Sequence, residues 1–253
     1  MAQQRRHQSR RRRRGRFSGL YRLLSVLAVA AAIAVACVVF FRVNEVTVVG
    51  NSRYTAEEII AASGIEMGDN LIALSQGRVA GAIRTQLPYV ETVTVRRQLP
   101  DGVLLTVKER VAAASIEGNG GRWLISSQGK VLEQAAGQPV IAITGLSAVA
   151  PYAGATVQVA EEDEATLSHV LSLLGALEEA EMLSQCTGLD CTSSACVTLT
   201  WDIYQIKFPR GGDYAHMLVM LRAAMDSEEM PKDEPGTFDF TVKDGELYFR
   251  RSR

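Results

Sequence analysis

The chain has 253 residues, 47% of them hydrophobic and 22% charged, with a formal net charge of -1. That sum conceals a split: residues 1–22 hold nine arginines and no acid, whereas residues 23–253 set 18 Lys and Arg against 28 Asp and Glu, a balance of -10. Such asymmetry marks a topogenic or nucleic-acid-binding tail on an acidic body, and three cysteines within eleven residues (Cys186, Cys191, Cys196) do not read as a disulfide framework.

Residues 1–19 are polar and rich in Arg and Gln. No aromatic interleaving or folded basic module accompanies the Arg run, so no nucleic acid is expected as a partner. The tail instead sets topology and touches anionic headgroups. Leu23 to Phe41 follows, nineteen residues with one polar side chain, Ser25. As a helix it spans roughly 28 Å, close to the ~30 Å hydrocarbon core of a bilayer. Arg22 and Arg42 flank it and can snorkel to the two interfaces. The positive-inside rule places residues 1–22 in the cytoplasm and everything after Arg42 outside. A cleaved leader is the alternative, with Ala34-Val35-Ala36 as its site, but Val38-Val39-Phe40-Phe41 carries the apolar run past it. The length favours an uncleaved anchor, with membrane lipid as the partner of residues 23–41.

Val43, Val46, Val48 and Val49 alternate with polar residues up to Gly50-Asn51 and predict a strand. Thr55-Ala-Glu-Glu58 is a capping box opening a helix with Ile59 and Ile60, stopped at Ser63-Gly64. Ser75 caps a second helix carrying Val79, Ile83 and Leu87 at i, i+4 and i+8, closed by Pro88. Val93 and Val95, a Leu99-Pro100-Asp101-Gly102 turn, then Val103, Leu105 and Val107 give two strands. Within about 70 residues the order is strand, helix, helix, strand, strand, so the two helices must cover one face of a small sheet. The expected core is Val46, Val48, Ile59, Ile60, Val79, Ile83, Val93, Val95, Leu105 and Val107.

Beyond Arg110 strands predominate. Trp123-Leu124-Ile125, a turn from Ser126 to Gly129 and Val131-Leu132 form a hairpin, and Pro139 to Thr144 is a further strand. Residues 161–182 are helical, with Leu167, Val170, Leu171, Leu174 and Leu177 on one face and acids at the N-terminal end. Strands are expected near Val197-Leu199 and Tyr204-Phe208, and Asp213 caps a helix with Tyr214, Met217, Leu218 and Leu221. A two-residue turn at Asp244-Gly245 folds a final strand, Glu246 to Arg250, back on Phe238 to Val242. Being last, that strand can lack a neighbour on its outer side and accept one from a partner. Leu247 and Phe249 would face one way, Glu246, Tyr248 and Arg250 the other. The sequence predicts an α+β chain: a basic tail (1–22), a transmembrane helix (23–41), a small β-α-α-β-β domain (43–110) and a β-rich domain with flanking helices (111–253).

Catalytic patterns are sparse. Ser127-Gln-Gly-Lys130 fits Ser-x-x-Lys, which needs the lysine one helical turn from the serine, but Gly129 and strand-like flanks put it in a β-turn. The three histidines (7, 169 and 216) have no second ligand at metal spacing. Cys186, Cys191 and Cys196 could hold zinc only with a fourth ligand from afar. A Cys191–Cys196 disulfide is favoured over this outside the cytoplasm, and three free thiols remain an alternative. No P-loop, Gly-x-Ser-x-Gly or dinucleotide fingerprint is present, and neither catalysis nor a cofactor is expected.

Nearly the whole chain resembles the FtsQ/DivIB family of bitopic bacterial division proteins, with an FtsQ-type POTRA module. The resemblance rests on Val-x-Val-x-Gly-Asn (46–51), Gly-Asp-Asn-Leu-Ile-x-Leu (68–74), Leu-Pro-Tyr-Val (87–90), Val-x-Arg-x-Leu-Pro (95–100) and Val-Lys-Glu-Arg (107–110), in order and with spacing kept. Trp123 to Leu132 resembles the start of the family's β-domain, whereas the cysteine-rich segment 186–196 departs from it. The resemblance implies a non-enzymatic scaffold at the division septum that binds FtsB/DivIC-like and FtsL-like bitopic proteins. It also implies indirect control of septal peptidoglycan synthesis, with the FtsB-like strand captured at Glu246, Leu247, Tyr248, Phe249 and Arg250. A wall acyl-transfer enzyme using Ser127 and Lys130, and a POTRA module serving protein export, are the competing expectations.

Overall fold

A computed structural model describes residues 17–227, 234–243 and 245–251. Its first element is α1 (Phe17–Phe40), an apolar helix with a stretch from Gly19 to Cys37 long enough to cross a membrane. Phe41 follows without a linker: its side chain packs against the first core, and its carbonyl accepts from Leu71 N at 2.9 Å.

Three strands and two helices form the first domain. The strands β1 (Glu45–Val49), β2 (Val90–Gln98) and β3 (Gly102–Glu109) assemble in the order β1-β3-β2, with β1 parallel and β2 antiparallel to the central strand. The helices α2 (Ala56–Ser63) and α3 (Gln76–Gln86) cover one face. Thr55 caps α2 as expected: its hydroxyl accepts from Glu58 N, while Glu58 accepts from Thr55 N, so two otherwise orphaned amides are paired. Ser75 caps α3 in the same way through Arg78 N. The chain leaves β1 through Gly50 at φ +83°, where a Cβ would stand 2.2 Å from the Val107 carbonyl oxygen, so no larger residue fits.

Two expectations shift. Ile60 is only half-buried; Ile59, Ala62 and Ser63 form the inward face of α2 at i, i+3 and i+4, which leaves the next residue about 100° off that face. Val43 precedes β1 rather than opening it, yet it is fully buried and pairs through its backbone with Gly68 and Asp69. Leu71, Leu74, Val90 and Val103 complete this core.

The second domain is a nine-stranded mixed sheet with helices on one face. Its strands are β4 (Ala114–Gly118), β5 (Gly121–Ile125), β6 (Val131–Gln134), β7 (Ile141–Ala148), β8 (Cys186–Asp190), β9 (Cys196–Trp201), β10 (Tyr204–Pro209), β11 (Gly236–Asp239) and β12 (Tyr248–Arg251). They lie in the order β12-β11-β10-β9-β8-β7-β4-β5-β6. The helices α4 (Glu164–Glu179) and α5 (Tyr214–Met225) bury Leu167, Val170, Leu174, Leu177, Leu218 and Leu221 in the same core as Ile143, Leu189, Leu199 and Phe208. Along β9 and β10 the buried residues Val197, Leu199, Ile206 and Phe208 alternate with more exposed ones, so the opposite face is polar.

The β6 end of the sheet is covered. Val131 exchanges backbone bonds with Gly154 and Ala155, and Lys130 bridges Thr156. Glu133 of β6 reaches the first domain, accepting from Tyr89 Oη at 2.8 Å and from Arg53. Tyr89, Leu124 and Leu132 form a small core at this junction.

The cysteines are free, which corrects the expected Cys191–Cys196 bridge. The β8–β9 register pairs Asp190 with Thr198, which brings Cys191 opposite Val197 on the buried face. Cys196 is one residue before Val197, so it belongs to the other, polar face, and the two sulfurs lie on opposite sides of the sheet.

Candidate functional site

The sequence places a partner site on the last strand, and the structure puts that strand at the open end of the large sheet. β12 pairs antiparallel with β11, Phe238 facing Phe249 and Asp239 facing Tyr248, and has no neighbour on its outer side among the described residues. The connection is longer than the expected two-residue turn. It runs from Phe240 to Leu247, with Asp244 outside the described residues. Phe240, the first residue past β11, is buried against Phe208 at 5.4 Å between ring centroids and bonds Lys207 O through its backbone N–H. It therefore continues along β10 instead of turning.

The two faces of β12 divide as expected. Phe249 packs on Phe238 at 4.9 Å and Tyr204 at 6.4 Å between ring centroids, and Leu247 joins the same core. Gly236, paired with Arg251, leaves room for the Phe249 ring: a Cβ there would meet it at 2.3 Å. Tyr248 and Arg250 are exposed. Tyr248 Oη donates to Glu246 at 2.7 Å, and Lys243 also pairs with Glu246. These two partners, Lys243 first, hold the Glu246 carboxyl below its ordinary pKa, while donating a hydrogen bond to that carboxylate raises the Tyr248 phenol. Arg251 pairs with Glu234 at 3.1 Å. The result is a strand anchored by one aromatic, with an outer edge free to hydrogen-bond.

Ser127 and Lys130 face different surroundings. Ser126 and Gly129 close a β-turn, Gly129 N bonding Ser126 O at 2.9 Å. Ser127 Oγ donates to the Glu178 carboxylate of α4. Lys130 opens instead into the cleft between the two domains, beside Arg84, Arg110 and Tyr152. Among the described residues no three His, Cys, Asp or Glu side chains are grouped to hold a metal ion.

Sequence patterns missed the junction of the two domains. Arg53 stacks over Tyr89, 3.9 Å from the ring centroid, while pairing with Glu133. Glu109 accepts from the backbone N–H of Ser52, Arg53 and Tyr54 and from the Ser52 hydroxyl. Arg110 is tied through Nη1 to the carbonyls of Pro88 and Val90. The Val-Lys-Glu-Arg signature at 107–110 is the one clue the sequence held to these roles.

A β-α-α-β-β module directly after an apolar helix, followed by a helix-backed sheet, defines a POTRA-bearing protein with a single N-terminal apolar helix. Residues 41–110 match the POTRA domain family of FtsQ type. The chain is 27% identical over 168 residues to the cell division protein FtsQ of Corynebacterium glutamicum, covering 64% of this chain and 72% of that one. It is 34% identical over 95 residues to DivIB of Clostridium tetani, covering 38% and 36%. It is 35% identical over 85 residues to FtsQ of Streptomyces venezuelae, covering 34% and 31%. The matches thus span about a third of the latter two relatives. Residues 41–110 thus form a POTRA domain of FtsQ type, the chain is a relative of the FtsQ and DivIB cell division proteins, and its N-terminal apolar helix fits a single-pass membrane protein.

Proposed function

We propose that this chain is a non-enzymatic scaffold of the bacterial division machinery. Its nine-arginine tail lies in the cytoplasm, and its folded domains lie outside, concentrated at the septum. It binds FtsB/DivIC-like and FtsL-like bitopic proteins and through them tunes septal peptidoglycan synthesis. The observation that carries the reading is the open outer edge of β12, fixed in place by Phe249. An incoming strand would pair with backbone groups of Glu246 to Arg250 and lie beside Tyr248. The engagement of Ser127 with Glu178, and of Lys130 with the cleft between the domains, supports a role without acyl transfer.

The test is partner binding by the full chain and by a variant ending at Gly245. Loss of binding of an FtsB/DivIC-like exterior domain, with the remaining fold retained, is the expected result. Unchanged affinity would remove β12 from the site. Ser127→Ala with Lys130→Ala should complement division in cells depleted of the wild-type chain; failure at normal protein level would reopen the enzymatic reading.

A further inference from the structure

We infer that the end of the POTRA domain where α1 joins it is a lipid-binding seat, resting on the outer bilayer surface through Met67, Ile72 and Leu99. The inference rests on α1 spanning a bilayer.

Chain continuity carries it. α1 ends at Phe40, and two residues separate it from Val43, three steps of at most ~3.5 Å each. Within that short reach the backbone is already bonded to two loops. Leu71 N donates to Phe41 O at 2.9 Å, Val43 N to Asp69 O at 2.8 Å and Gly68 N to Val43 O at 2.8 Å. On the other side, Asn44 N donates to Asp101 O at 2.8 Å. The loop at 67–72 and the β2–β3 turn are therefore held level with the end of the apolar helix. The interfacial layer on each side of a bilayer is roughly 5–8 Å deep, so these loops cannot stand clear of it.

The side chains there suit that depth. Met67 is 65% exposed, Ile72 48% and Leu99 66%, beside Phe40 at 73%. They are large apolar groups turned outward on the segments tied to the end of α1; Val49, 41% exposed, lies at the far end of β1. The ionic groups around them do not select an anionic surface: Arg42, Arg96 and Arg97 are matched by Glu45, Glu66, Asp69 and Asp101. Asp69 is engaged with Glu66 N and Asp101 with the Asn44 amide. Insertion of apolar side chains, not charge attraction, is the contact, and zwitterionic lipid suffices.

The seat is tested with the full chain in phosphatidylcholine vesicles whose acyl chains carry bromine near the headgroup. Three variants are compared with the parent: Leu99→Trp, Ile72→Trp and Phe40→Trp. Val219→Trp, exposed on α5, serves as the distant control. The expected result is that the added emission at positions 99 and 72 is quenched to a degree comparable with position 40, and that at 219 is not. Quenching at 40 without quenching at 99 and 72 would overturn the seat and leave the membrane span standing. A blue shift at 99 without quenching would assign the patch to a protein and overturn it equally. Absence of quenching at all three positions would sink the membrane span, and the seat with it.

Discussion

Arg53 and Glu133, eighty residues apart in sequence, meet across the junction of the two domains, Nη2 of the arginine lying 2.8 and 2.9 Å from the two carboxylate oxygens. The same carboxylate accepts from Tyr89, whose ring lies beneath the guanidinium. One acidic side chain of β6 thus engages two residues of the POTRA domain.

Glu133→Ala should loosen this junction. The ion pair is half-exposed and contributes no more than about 1 kcal/mol. Leaving the buried Tyr89 hydroxyl unpaired adds about 1–3 kcal/mol. Denaturant unfolding of Glu133→Ala, Arg53→Ala and the double variant should show a favourable coupling between the two positions. Additive effects would mean that the pair does not couple the domains.

Ile83 is fully buried between α3 and the small sheet, so Ile83→Ala should cost about 2–5 kcal/mol. Ile60→Ala, half-buried on the flank of α2, should cost clearly less. Equal losses in unfolding experiments would show that the inward face of α2 has been wrongly assigned.

Acid should open the loop at 52–54. Burial alone would raise the Glu109 carboxyl, but bonds from the Ser52 hydroxyl and three backbone amides outweigh it and hold the value below the ordinary one. A depressed value contributes stability above the unfolded pKa of about 4.3, and that stability is lost as pH falls through the folded value. Hydrogen-exchange protection of Ser52 to Tyr54 should fall in that acid range in the wild type. In Glu109→Gln it should be lower at pH 7 and nearly flat with pH.

The thiols should react in a fixed order. Burial pushes Cys186 up to about 12 and Cys191 up to about 11, so little thiolate exists at pH 8 at either site. Cys196 is half-exposed on the polar face. Mass mapping after brief iodoacetamide treatment should find Cys196 modified well before Cys186 and Cys191, which become reactive only on unfolding. Recovery of a Cys191–Cys196 disulfide peptide would contradict the sheet register.

The legible parts of this fold are those whose signals are local. The Thr55–Glu58 box and Ser75 announce their helices because capping is settled within four residues. Alternation in Val103, Leu105 and Val107 predicts a buried face because the period of a strand is two. What escapes the sequence depends on distant pairing. Val43 is core only because the 68–69 loop returns to it. Cys191 and Cys196 look bridgeable at a spacing of five until the register sends them to opposite faces. The Asp244-Gly245 turn signal includes Asp244, which lies outside the described residues, and the burial of Phe240 against Phe208 is a contact no short window reveals. The last strand was readable from the alternation of Leu247 and Phe249 with Glu246, Tyr248 and Arg250, whereas the Arg53, Tyr89 and Glu133 cluster, drawn from three distant segments, was not.

The two ends of the large sheet are treated differently: β6 is covered by residues 154–156 and the POTRA domain, while β12 has no outer neighbour among the described residues. A sheet blocked at one end can be extended only from the other. Even if two copies met edge to edge at β12, both growing ends would be consumed and the array would stop at a pair. The large sheet therefore has a valency of one for added strands: it can take a partner at β12, yet it cannot propagate that pairing along itself into a fibre.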